Sequence, residues 1–191
     1  MAKSGTTVEI PLKKAELGIS LLFDNVLELV KETRILLDKS RTIHAGGLLA
    51  CAIQELGKAK LLKQGVREQT QLLTDKVKKR QKLTSRNVRI EGLLDAAKKH
   101  EVGISLLPEE AREIADQVLP RPRSASTINK NLEDSAAWLA KSFLVNWEDG
   151  EWGLPSPTRV FAGFEPPKAR LVHLGILTEA IEDAAKQLIA E

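Results

Sequence analysis

Apolar residues recur at intervals of three and four near the start of the chain. Ile19, Leu22, Phe23, Val26, Leu29, Val30 and Leu37, with Thr33 among them, share one side of a helix beginning near Lys13. Ser40 or Thr42 is placed to cap a second helix, and Gly65 to end it. Its inward face reads Ala45, Leu48, Leu49, Ala52, Leu56 and Ala59. Many of these side chains are small, which lets a neighbouring helix approach closely, so the two helices are expected to form an antiparallel hairpin. A third helix is predicted over Val66 to Leu83, with Leu72, Leu73, Val77 and Leu83 inward. A fourth, capped by Thr84 or Ser85, is predicted through Ile90, Leu93, Leu94 and Ala97 to near Gly103.

Further on, Pro108-Glu109-Glu110 reads as the first turn of a short helix that Pro120 stops. The segment from Pro120 to Ser126 is a connector. Leu132, Ala136, Leu139 and Phe143 outline another helix, followed by a turn-rich stretch near 147–166. Leu171, Leu174, Leu177, Ile181, Ala184 and Leu188 define a last helix from about Lys168 to Ala190. Residues 1–12 read as a polar, extended arm. The expected fold is therefore all-α, an up-and-down helical bundle formed by residues 13–191 as a single domain.

Composition agrees with that pattern. Hydrophobic residues are 42% and charged residues 29%, a globular balance, while aromatics are 4% and Tyr is absent, which disfavours a large sheet. A single Cys excludes an internal disulfide and fits a reducing compartment. The longest apolar stretch, around Ala45 to Ile53, falls far short of the ~20 residues of a membrane span. The first residues lack the apolar core of a secretion signal, so a cytoplasmic location without membrane attachment is expected.

Charge is concentrated. Lys76, Lys78, Lys79, Arg80, Lys82, Arg86 and Arg89 occur with no acid between them, so the net charge of +3 belongs to this segment and the remainder is mildly acidic. Such a segment meets phosphate, an acidic partner or water. No aromatic residues are interleaved with it, so contact with nucleic acid would be electrostatic rather than by base stacking. Trp138, Trp147 and Trp152 are expected to be core and loop anchors.

Familiar catalytic patterns are missing. A phosphate loop around Gly57-Lys58 would need Gly at 52 and Ser or Thr at 59, where the chain has Ala52 and Ala59. One Cys and three dispersed His give no zinc spacing, and no cofactor or metal is expected. Cys51, on an apolar helix face, is expected to be a buried, inert thiol. On the second helix His44, Cys51, Glu55 and Lys58 fall within about 60° of one line bordering the apolar face. Glu55 would be half-buried beside Lys58 at i+3. That is either a boundary ion pair or a polar group presented into an inter-helix cleft.

Two pieces of the chain carry a resemblance. The first runs from Asp24-Asn25-Val26 through His44-Ala45 and Leu48-Leu49-Ala50 to Gln54-Glu55-Leu56-Gly57-Lys58-Ala59. The second is Phe143-Leu144-Val145-Asn146-Trp147-Glu148-Asp149-Gly150-Glu151-Trp152-Gly153-Leu154-Pro155-Ser156. Together they are similar to the AbiV-type abortive-infection family of the HEPN superfamily. The resemblance implies a helical, often dimeric bundle with bacterial phage-defence or stress roles. Many HEPN proteins are metal-independent ribonucleases with an Arg-x4–6-His motif, whose Arg stabilises the phosphorane and whose His moves the proton.

This chain departs from that pattern. Arg41 and Arg170 precede His44 and His173 by three positions only, Gln54 stands for a Glu, and Leu144 and Asn146 stand for Tyr and Asp. The expectation is thus a phage-defence protein that binds RNA, or a phage or host protein, through the basic segment and the Glu55/Lys58 cleft, as a homodimer. Two alternatives stand beside it. One is a metal-independent ribonuclease, with Glu55 orienting, Lys58 and Arg80 holding phosphate and His44 or His173 as acid or base. The other is a dimerisation scaffold.

Overall fold

The computed structural model describes residues 7–78, 86–119, 146–148, 151–153 and 168–191. These are mostly helical. A strand, β1 (Thr7–Pro11), leads into α1 (Leu12–Asp38), which reverses into α2 (Thr42–Lys78). The chain then forms β2 (Asn87–Glu91), α3 (Ala96–Ser105), α4 (Glu109–Val118), the short strands β3 (Asn146–Glu148) and β4 (Glu151–Gly153), and α5 (Lys168–Ala190).

The expected hairpin is present. The stripe of α1 is buried at Leu22, Phe23, Val26, Leu29, Val30, Thr33 and Leu37, and that of α2 at Ala45, Leu48, Leu49, Ala52, Leu56 and Ala59. Buried Thr33 costs nothing in unpaired hydroxyl, because Oγ1 donates to the Leu29 carbonyl one turn back (2.7 Å). The reversal between α1 and α2 is a Schellman turn: Ser40 N donates to the Leu37 carbonyl (2.8 Å) and Arg41 N to the Leu36 carbonyl (2.7 Å). Ser40 sits at the left-handed position, φ 55°, which glycine usually fills.

The third layer is α5, with Leu174, Leu177, Ile181, Ala185 and Leu188 buried. It runs parallel to α2: Leu174 approaches Gly46 at one end, while at the other Lys63 Nζ donates to the Leu188 carbonyl. Arg34 of α1 pairs with Glu182 of α5 at the rim.

Three expectations fail, each for a stated reason. Gly65 does not end a helix, and α2 runs unbroken through it, so the third helix predicted from Val66 is the continuation of the second. Gly65 is there because β2 crosses it: a Cβ would lie 2.8 Å from Val88 Cγ1 and 3.2 Å from Ile90 Cγ1. Leu72, expected inward, is 56% exposed, because α2 has by then passed beyond its neighbours. The helix predicted from 84 to 103 is instead a strand followed by a shorter helix. Val88 and Ile90 are buried while Arg89 and Glu91 are exposed, the two-residue alternation of a half-buried strand. Asp95 then starts α3, accepting from Ala97 N (2.9 Å) and Lys98 N (3.2 Å).

The arm at 7–11 is extended, as expected, but it pairs antiparallel with β2, Ile10 opposite Val88 and Val8 opposite Ile90. The fold is mostly helical, as expected, with this small ladder added to it. Within the stretch expected to be turn-rich, β3 and β4 form a second two-stranded antiparallel ladder, with Trp147 opposite Trp152. The helix predicted around Leu132 to Phe143, together with Trp138, lies outside the described residues. No described helix is long and apolar enough to cross a membrane.

Replacing Ser40 by glycine relieves the left-handed strain without altering the turn. Ser40→Gly should stabilise the fold by about 1 kcal/mol and raise Tm by roughly 2–4 °C in a calorimetric scan. An unchanged or lower Tm would show that the turn carries no such strain.

Candidate functional site

Glu55 lies inside the hairpin. On α2 it is flanked by Ala52 and Ala59, one turn away on either side, and these small side chains leave room for α1. Its side chain is fully buried, and Lys58, one turn on, is 2% exposed. The Lys58 ammonium pairs with Glu55 Oε1. From α1, Asn25 Nδ2 donates to Glu55 Oε2 (3.2 Å). The ion pair expected from the i+3 spacing is thus present, but in the core rather than at its border.

A second lysine reaches this neighbourhood from α3. Lys99 is 7% exposed, and α3 is seated by an exchange of glycines. A Cβ on Gly57 would collide with the Lys99 carbonyl, and one on Gly103 with the Ile53 carbonyl. The two helices therefore touch backbone to backbone. Burial, followed by the repulsion of Lys58, lowers the Lys99 ammonium to about 8, with Glu55 and Asp95 opposing the shift. Cys51, one turn before Glu55, has its thiol pushed up to about 12 by burial and then by the Glu55 charge. A thiol held protonated is a poor nucleophile, although Cys51 is half-buried and not fully buried as expected.

The other candidate residues are elsewhere. His44 is half-buried near the start of α2, about 16 Å along the helix from Glu55. His173 is half-buried near the start of α5, beside the Leu174 that meets Gly46. The two histidines belong to the same end of the bundle, away from the carboxylate. Of the basic segment, Lys76 is half-buried on α2, Lys78 is the last residue of α2, and Arg86 is exposed just before β2. Lys79, Arg80 and Lys82 lie outside the described residues. Arg89 is paired with Glu9 across the β1–β2 ladder (2.7 Å).

Two members of the buried cluster escaped the sequence reading. Asn25 belongs to the piece that carries the resemblance, but its bond to Glu55 is hinted at only by its polar place inside the apolar stripe between Leu22 and Leu29. Lys99 sits four residues before Gly103, but nothing marks a lysine as buried until the glycine contact is seen. Among the described residues no group of three or more His, Cys, Asp or Glu could hold a metal ion. Comparison with protein-family models, curated proteins and solved structures gives no match for this chain.

Removing one partner of a buried ion pair leaves a charge without compensation. Glu55→Leu should therefore cost about 3–5 kcal/mol in urea denaturation. Combining it with Lys58→Met removes both charges and should recover most of that loss. A double variant as unstable as the single one would show that the pair is not what the core depends on.

Proposed function

We propose that this chain is an AbiV-type, HEPN-like protein acting in phage defence or a related stress response, and that it does so as a homodimer by binding RNA through residues 76–86. One observation carries the reading. The described part of α2 beyond Gly65 has no fully buried residue, and the helix runs on to Lys78 before the chain returns at the exposed Arg86. The segment thus leaves α2 at Lys78 and rejoins the described fold at Arg86, whose carbonyl accepts from Leu12 N at the start of α1 (2.9 Å). Lysines and arginines so grouped suit a phosphate backbone, with affinity that falls as salt rises.

The geometry argues against giving Glu55 and Lys58 a part in chemistry. A phosphate held by Lys58 would have to enter the core and displace Glu55 from it. The same carboxylate is too far along α2 to orient His44. Binding without cleavage is accordingly the reading preferred over a ribonuclease.

Fluorescence anisotropy with a single-stranded RNA, in EDTA and between 50 and 200 mM salt, tests this. Replacing Lys76, Lys78, Lys79 and Lys82 by Gln should weaken binding at least tenfold and flatten the salt slope by up to about 3. Unchanged affinity would overturn the basic-face reading and favour a protein partner. Cleavage of the RNA in EDTA, lost in His44→Ala or His173→Ala, would reinstate the ribonuclease.

A further inference from the structure

The helix α3 is attached in an unusual way. Of its ten residues only Lys99 and Gly103 are fully buried, one a cation and the other without a side chain. The apolar anchors lie at its flanks instead, Leu93 before it at 2% exposure and Leu107 after it at 1%. Ile104 adds a partly buried contact. The chain enters α3 through Gly92, whose φ of 78° lies in the left-handed region. Beneath the helix lie Ile53 and Gly57, which bracket Glu55 on α2.

We propose that α3 is a removable cover over the α2 segment carrying Glu55 and Lys58, seated by the Gly57 and Gly103 contacts and loosened by the charge of Lys99. It can lift between its two leucine anchors without opening the α1–α2–α5 core. The inference does not rest on RNA binding.

The charges around Lys99 set its direction. From α2 it faces Lys58 and Glu55, with Asn25 of α1 on the far side of that carboxylate. On its own element it has Asp95 at the N-cap and His100 as its neighbour. When α3 lifts, Lys99 regains water and an ordinary ammonium affinity. The open state thus holds its proton up to the usual 10.5, the closed state only up to about 8. Closure is weakest below pH 8 and strengthens as pH rises from there toward 10.5. The Cys51 thiol, ordinarily titrating at 9.0, acts oppositely above that value, so the informative window is pH 7–9.

Hydrogen exchange on the full chain, corrected for the intrinsic rate at each pH, reads this directly. Amides of 96–105 should be less protected than those of α1, and their protection should rise about tenfold from pH 7 to 9. Lys99→Met should abolish that pH dependence and raise the protection of α3 at pH 7. A methyl wedge, Gly103→Ala, should strip protection from α3 while leaving that of α1 within a factor of about three. The proposal is overturned if α3 exchanges only through the opening that exposes α1. It is equally overturned if Lys99→Met keeps the pH dependence, or if Gly103→Ala lowers protection in both helices alike.

Discussion

A carboxylate sealed between two helices governs how they lie. Glu55 is fully buried, so it must be answered by donors from the protein, Lys58 and Asn25 among them. Lys58 is a local partner, fixed by the helix on which both residues stand. Asn25 is not local: its bond to Oε2 holds only if α1 and α2 stay in one axial register. Sliding one helix by a turn, about 5.4 Å, would leave the apolar stripes in contact but the carboxylate short of a donor. Leucine and alanine stripes tolerate such slips, whereas a buried ion pair with a fixed donor does not. The pair thus adds specificity to a hairpin whose apolar faces already supply its stability.

The glycines set the remaining distances. At Gly57 and Gly103 two helices meet without intervening side chains, and at Gly65 the strand β2 crosses α2 closely. Each contact trades side-chain burial for proximity, and the trade differs in consequence. Where β2 crosses, Val88 and Ile90 still bury apolar surface, so the strand is well held. Where α3 crosses, the buried side chain is that of Lys99. Similar sequence features, glycines inside or beside helical patterns, therefore give a firm junction in one place and a weak one in another.

These contacts also account for what could be read in advance. The stripes of α1, α2 and α5 were legible because their faces bury many apolar side chains at helical spacing, a signal that averages over a dozen positions. The pairing of Glu55 with Lys58 was legible because it is local. Gly65 was misleading because a glycine that ends a helix and a glycine that admits a crossing strand look the same until the strand is found. The strand itself was hidden in Asn87-Val88-Arg89-Ile90-Glu91: its two-residue alternation is plain, but Ile90, Leu93, Leu94 and Ala97 also fit a helical spacing. Asn25 and Lys99 owe their places to contacts across elements, which no spacing along the chain encodes.

Burial also separates the two kinds of charge this chain contains. The Glu55 and Lys58 charges are spent on each other inside the core. Arg89 is engaged by Glu9 on the neighbouring strand, so it too is less available. Arg86 remains exposed, and α2 runs beyond its last fully buried residue to the lysines at its end. A motif that resembles a family's hallmark can therefore be structural. That division follows from solvation alone: a charge contributes to binding when its desolvation is met by the partner, and to folding when it is met from within.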